Sequence, residues 1–181
     1  RAAAKKANRR VAIMADLPGP KMRIGTFAHE PLELKKGDTF TLTTEEITGS
    51  STRVSVSFGR LPQVVKSGDK LFINDGNIEL EVLQATGRDV SCRVLVGGEL
   101  RSRKGLNLPG INLGISAFTE QDRSWLAFAM DQGIDAVSQS FVETAKDIDA
   151  VRGAAAALGY NPFIIAKIER AGALNHIDGI L

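Results

Sequence analysis

The chain has 181 residues, 23 Lys or Arg against 21 Asp or Glu for a net charge of +2, and 43% apolar side chains, which suits one large or two small globular domains. Interspersed charges exclude the basic stripe of a nucleic-acid binder, and no apolar run approaches the roughly 20 residues needed to cross a bilayer. A lone cysteine, Cys92, excludes an intramolecular disulfide framework, and no signal-peptide pattern opens the chain, so a reducing, cytoplasmic setting is expected.

In chain order, Arg1 to Arg10 is rich in Ala and Lys and reads as the last turns of a helix. Val11-Ala12-Ile13-Met14-Ala15 reads as a short buried strand that stops at Asp16 and the turn-forming Pro18-Gly19-Pro20. From about Lys21 to Arg103 the pattern is all-β. Alternation is visible in Thr39-Phe40-Thr41-Leu42, in Arg53 to Phe58 and in Ile78-Glu79-Leu80-Glu81-Val82. Leu34 to Phe40 and Val65 to Leu71 resemble each other, each with a Gly-Asp turn before a strand, and read as a common β device. Short strands and Gly-rich turns suggest a small barrel. Cys92 falls within such a strand, which argues against a reactive thiol. His29 and His176 have no ligand-spaced partner and read as structural.

Past Lys104 the helical period returns. Thr119-Glu120-Gln121-Asp122 resembles a capping box with Asp in the acidic place, and an amphipathic helix runs to about Gln132, ended by Gly133. Ile134 to Phe141 is the next strand. Thr144 caps a helix to about Leu158, and Gly159 stops it. Phe163-Ile164-Ile165 then reads as a buried parallel strand leading into Lys167-Ile168-Glu169, with helix expected from Arg170 onward. The pattern predicts an α/β segment over residues 1–20, an inserted β domain over 21–103 and a second α/β segment over 104–181. Only three strands fall outside the insert, too few for an independent sheet of this type, so the chain looks cut from something longer.

In parallel α/β sheets and barrels, functional residues gather at the carboxyl ends of strands. Those ends carry Asp16, then Ser140 and Phe141, then Lys167 and Glu169. Strand alternation points Lys167 and Glu169 the same way, with Ile168 opposite. Taken alone, the Lys-x-Glu pair reads first as a structural ion pair, and only its neighbours suggest that it meets a metal and an anion. The Asn74-Asp75-Gly76-Asn77 turn reads first as a plain hairpin, and the basic Gly97 to Gly105 stretch as a solvated loop, without Walker-type spacing. The insert leaves directly after Asp16, so it can serve as a lid.

Five stretches together resemble pyruvate kinase over essentially the whole chain: Ala15 to Arg23, Asn74-Asp75-Gly76, Arg103 to Gly110, Ser140-Phe141 and Ala166-Lys167-Ile168-Glu169. The resemblance implies a (β/α)8 TIM barrel, of which this chain supplies the third to fifth strands, with a small all-β barrel lid inserted after the third. It also implies a cytoplasmic homotetramer that moves a phosphoryl group from phosphoenolpyruvate to ADP, giving pyruvate and ATP in glycolysis. By position, Lys167 matches the lysine that stabilises the transferring phosphoryl group, and Glu169 a ligand of Mg²⁺ or Mn²⁺. Arg23 and Lys104 match residues that meet nucleotide phosphates, and Asp75 a lid acid near the nucleotide–metal complex. Asp16 matches a residue of the monovalent-cation site.

The chain departs from the family at Leu17-Pro18-Gly19-Pro20-Lys21, where many members have Thr-Lys-Gly-Pro-Glu. The resemblance links the Glu form to a K⁺ requirement and the Leu…Lys form to K⁺ independence, so Lys21 is expected to replace K⁺. The family's Arg and Asn-x-Ser substrate segment, second metal acid and proton-relay threonine are absent from these residues, so the isolated chain is expected to be inactive. Two other readings stand beside this one. One is a nucleotide-binding paralogue that has lost catalysis. The other is a different barrel enzyme of phosphoenolpyruvate or pyruvate, which the Asn74-Asp75-Gly76 lid turn disfavours. Allosteric effectors lie beyond what these residues can express.

Overall fold

Short apolar runs bounded by turns become strands, and runs with helical period and capped starts become helices, over the described residues 1–111 and 113–181 of this computed structural model. The elements begin with helix α1 (Ala2–Lys6) and strands β1 (Met14–Leu17), β2 (Leu32–Leu34), β3 (Thr39–Thr43) and β4 (Arg53–Ser55). Helix α2 (Leu61–Val64) leads to β5 (Lys70–Ile73), β6 (Ile78–Thr86), β7 (Asp89–Val96), β8 (Gly98–Leu100) and β9 (Leu106–Asn107). Then come α3 (Glu120–Asp131), β10 (Ala136–Gln139), α4 (Ala145–Ala157), β11 (Phe163–Ala166), a 3-10 turn (Ala171–His176) and α5 (Ile177–Ile180). They form two units, one of residues 1–20 with 114–181 and one of residues 21–113.

The first unit is α/β. Its sheet has the order β1-β10-β11, all parallel, with Asp16 opposite Ser138 and Ser138 opposite Ile165. Strand alternation gives the sheet two chemically different faces. Leu17, Val137 and Ile164 pack with Leu126 and Met130 of α3 and Val151, Ala154 and Ala155 of α4. Each fully buried Leu or Val side chain there contributes roughly 1.5–3 kcal/mol of transfer free energy. The other face carries Met14, Asp16, Ser138, Phe163 and Ile165.

Both helices start as their sequences require. Thr119 and Asp122 form a reciprocal capping box on α3, as Thr144 and Asp147 do on α4. Gly133 and Gly159 end the two helices at φ +68° and +80°, a left-handed conformation that costs a glycine little.

Two strand expectations need correction. The first strand begins at Met14 rather than Val11 and runs through Asp16 to Leu17. It is buried on one face only, since Met14 is 53% exposed while Leu17 is 1% exposed. β11 is parallel as expected but not buried, with Phe163 70% exposed. Within these 181 residues helices cover one face of the sheet only, so alternate residues of β1 and β11 stay open on the other. The central strand β10 has Val137, Ser138 and Gln139 all buried.

The second unit is all-β: a six-stranded sheet of order β4-β3-β7-β6-β5-β9, antiparallel except for β3–β4, and a β2–β8 pair. Its core alternates along the strands, with Phe40, Leu42, Val54, Leu71, Ile73, Ile78, Leu80, Val90, Cys92 and Val94 fully buried. The two similar pieces do the same work. Lys35 N–H donates to Asp38 Oδ2 at 2.9 Å and Lys66 N–H to Asp69 Oδ2 at 2.8 Å. In turn Asp38 and Asp69 accept from Val94 and Val82 backbone N–H through their own carbonyls. This unit extends past Arg103 because Leu106 and Asn107 pair with Ile73 and Phe72.

Candidate active site

The ladder of the parallel sheet continues one step past the strand ends. Ser140 N–H donates to Leu17 O and Lys167 N–H to Gln139 O, both at 3.0 Å. Alternation then carries the next side chains onto the open face. Lys167 Nζ lies 2.7 Å from Ser140 Oγ, 3.2 and 3.3 Å from the Asp16 oxygens, and 3.3 Å from Glu169 Oε1. Glu169 Oε2 accepts the backbone N–H of Phe141 at 3.1 Å, and Phe141 adopts φ +61° to present it. Of the residues expected at the strand ends, Asp16, Ser140 and Glu169 therefore meet around the Lys167 ammonium, and Phe141 joins them through Glu169.

Partial burial works to lower the Lys167 pKa, but the hydrogen bond to Asp16 and the charge of Glu169 outweigh it, and the pKa stands above that of an ordinary lysine. The ammonium stays charged through neutral pH. Its side chain remains 34% exposed, so an incoming anion can reach it.

Ser138 belongs to the site and was not anticipated. It is 2% exposed and donates to Asp16 Oδ1 at 2.6 Å, fixing the carboxylate that holds Lys167. The available signal was its place two residues before Ser140, on the same face of a strand. Two further buried acids lace the mouth together. Asp122 Oδ1 accepts from Gly19 N–H, and Asp147 Oδ1 accepts from Ala117 N–H, both at 3.1 Å. Each capping aspartate thus also ties down the loop of a neighbouring strand–helix step. Gly19 has φ +65°, and a side chain there would press within 3.0 Å of the Ser140 carbonyl, so glycine is required.

In the second unit, three expected residues share one end of the sheet. Arg23 bridges Gly105, its Nη1 donates to Arg103 O at 2.7 Å, and Asn74 N–H donates to Gly105 O at 3.1 Å. That brings Arg23, Lys104 and Asp75 onto adjoining backbone. Asp75 and Gly76, at φ +56° and +91°, turn the chain between β5 and β6 with an Asn77 N–H to Asn74 O bond, and the Asp75 carboxylate is exposed. Lys21 is exposed and begins this unit.

Oxygen donors around Lys167 suit a hard divalent cation. Among the described residues, however, no cluster of three His, Cys, Asp or Glu side chains forms a complete metal cage. Glu169 fits a divalent ion only as one carboxylate beside further ligands.

Fold and site together define a parallel α/β enzyme domain, with a charged cluster at the carboxyl ends of its strands, where domains of this class hold their ligands. Residues 1–181 match the family model described as pyruvate kinase, barrel domain, and the chain belongs to the pyruvate kinase family. It is 42% identical over 178 residues to the pyruvate kinase of Thermococcus litoralis, covering 98% of this chain and 38% of that protein. It is 40% identical to pyruvate kinase 2 of Synechocystis, covering 96% of this chain and 30% of that protein. Against the pyruvate kinase of Mycobacterium tuberculosis it is 36% identical, covering all of this chain and 38% of that protein. The chain spans well under half the length of these relatives.

Proposed function

We propose that the full-length protein transfers the phosphoryl group of phosphoenolpyruvate to ADP. The observation that carries this reading is the Lys167 ammonium, held charged and reachable between Asp16, Ser140 and Glu169. In this transfer the bond from phosphorus to the enol oxygen breaks and a bond to a terminal ADP oxygen forms. A proton then adds to the enolate carbon. Such a reaction needs positioning and charge neutralisation more than covalent help. Lys167 places its charge against the moving phosphoryl oxygens. Ser138, Asp16 and Ser140 fix where that charge sits, so no reorganisation is needed as the reaction proceeds. A substrate oxygen must take one of the donor positions on Nζ, and the contact to Glu169, at 3.3 Å, is among the longest available to yield.

Glu169 would hold Mg²⁺ or Mn²⁺, which when bound neutralises phosphate charge. Arg23, Lys104 and Asp75 would serve the nucleotide, the second unit acting as a lid on a (β/α)8 barrel completed by the rest of the protein. Lys21 would stand in for K⁺: a tethered unit charge about 4 Å from an anion is worth several kcal/mol at a surface-like dielectric before desolvation. Family membership supports a cytoplasmic glycolytic enzyme, homotetrameric like the family. The intact Asp16, Lys167 and Glu169 set favours an active enzyme over a paralogue without catalysis.

The test is a coupled assay of the full-length protein with phosphoenolpyruvate, ADP and Mg²⁺ in buffer free of K⁺ and Na⁺. Pyruvate and ATP should appear in equal amounts. Absence of both with K⁺ added refutes the function, whereas activity only with K⁺ refutes the role of Lys21 alone.

A further inference from the structure

Glu169 is held on one oxygen by Lys167 Nζ and on the other by the N–H of Phe141, which is aimed by a left-handed conformation that a phenylalanine rarely adopts. A conformation of that kind persists only where its surroundings over-determine it. On the chain-ward side, Ser140 N–H is fixed to Leu17 O. On the far side, Glu143 N–H is fixed to Asp147 Oδ2 at 3.0 Å. A further tie joins this loop to the segment that carries Glu169, beside the Lys167–Ser140 bond and the packing of Val142 with Ala173. Glu143 Oε2 pairs with Arg170 Nη1, and the Arg170 side chain is only 16% exposed. The Glu143 carboxylate lies so close to the backbone at Gly172 that a β-carbon there would come within 2.5 Å of Glu143 Oε1.

We propose that Glu143 and Arg170, seated on Gly172, are positioning residues for Glu169. They lock the loop after β10 to the loop after β11, so that the Phe141 N–H and the Glu169 carboxylate stay in register. Neither touches the reacting atoms. The Glu143 side chain is 32% exposed, so the pair is partly sheltered, and a charged hydrogen bond of this kind is directional, which suits it to fixing two loops. The inference rests on the reading of Glu169 as the carboxylate that takes a divalent cation, and it concerns residues flanking the Lys-Ile-Glu triplet on both loops.

The test uses the full-length enzyme without substrates and reads free Mn²⁺ by electron paramagnetic resonance, with circular dichroism to confirm folding. Glu143→Gln keeps the shape and removes the charge. Gly172→Ala leaves both charges but pushes the Glu143 carboxylate off its seat. Each should weaken Mn²⁺ binding about 10-fold or more, the usual effect of losing a group that orients a metal ligand. The double exchange Glu143→Arg with Arg170→Glu should recover most of that loss. Wild-type Mn²⁺ affinity in both single variants, with binding lost in Glu169→Gln, overturns the positioning role and leaves the reading of Glu169 intact. Wild-type affinity in Glu169→Gln overturns both.

Discussion

Asp122 offers a prediction whose size follows from the geometry. Its side chain is fully buried, and its two oxygens accept from Thr119 N–H at 2.9 Å, Thr119 Oγ–H at 2.6 Å and Gly19 N–H at 3.1 Å. Replacing it with alanine removes the capping box of α3 and strands donors that no longer meet water. A lost cap costs about 1 kcal/mol and a lost bond to a charged acceptor about 1.5–3 kcal/mol. Some relaxation follows, so Asp122→Ala should destabilise the first unit by roughly 2–3.5 kcal/mol. Asp122→Asn keeps the shape and one acceptor oxygen and should cost about half as much. Trp125 is the single tryptophan and lies on α3, so its fluorescence during urea unfolding of the chain reports this unit. Asp149→Ala, which breaks only an exposed pair with Arg152, should stay within about 0.5 kcal/mol of the parent. If Asp122→Ala costs less than about 1 kcal/mol, the lacing of the strand ends is not structural support.

Two further outcomes follow from titratable groups away from the site. Burial pushes the Cys92 thiol up to about 12, so the native chain should not react with a disulfide reagent at pH 8 and should react once in urea; stoichiometric native labelling would contradict the buried strand. The hydrogen bond from Arg1, with that from Ile13 N–H, holds the Asp135 carboxyl below its ordinary value. A carboxyl lowered by folding adds stability above its unfolded pKa of about 3.9, and that stability is lost as pH falls through the folded value. Urea midpoints should therefore fall with acidification below about pH 4 in the parent chain and fall less in Asp135→Asn; parallel profiles would remove the pair from the account.

Much of this molecule is legible in its sequence wherever one local rule decides. Thr119 and Asp122, and Thr144 and Asp147, start helices because their oxygens reach backbone donors three residues away. Gly133 and Gly159 end them because the chain must turn left-handed. The alternation that puts Lys167 and Glu169 on one face persists beyond Ala166, where the strand itself has stopped. What stayed hidden depends on partners distant in sequence. Phe163 and Met14 look like core residues, yet within these residues they fall on the sheet face that α3 and α4 leave open. Ser138 looks like any strand serine until the register sets it opposite Asp16. Asp122 and Asp147 announce themselves as caps, but their second oxygens reach Gly19 and Ala117, contacts that only the packed strand–helix steps create.

If the Lys167 charge carries phosphoryl transfer, Lys167→Met in the full-length enzyme should show it. The substitution preserves length and apolar stem while removing the ammonium that Asp16 and Ser140 hold. Turnover should fall by about 10²-fold or more, the scale for losing a preorganised group that meets developing charge, while ADP binding measured by calorimetry stays near wild type. Turnover within a few-fold of wild type would contradict the account.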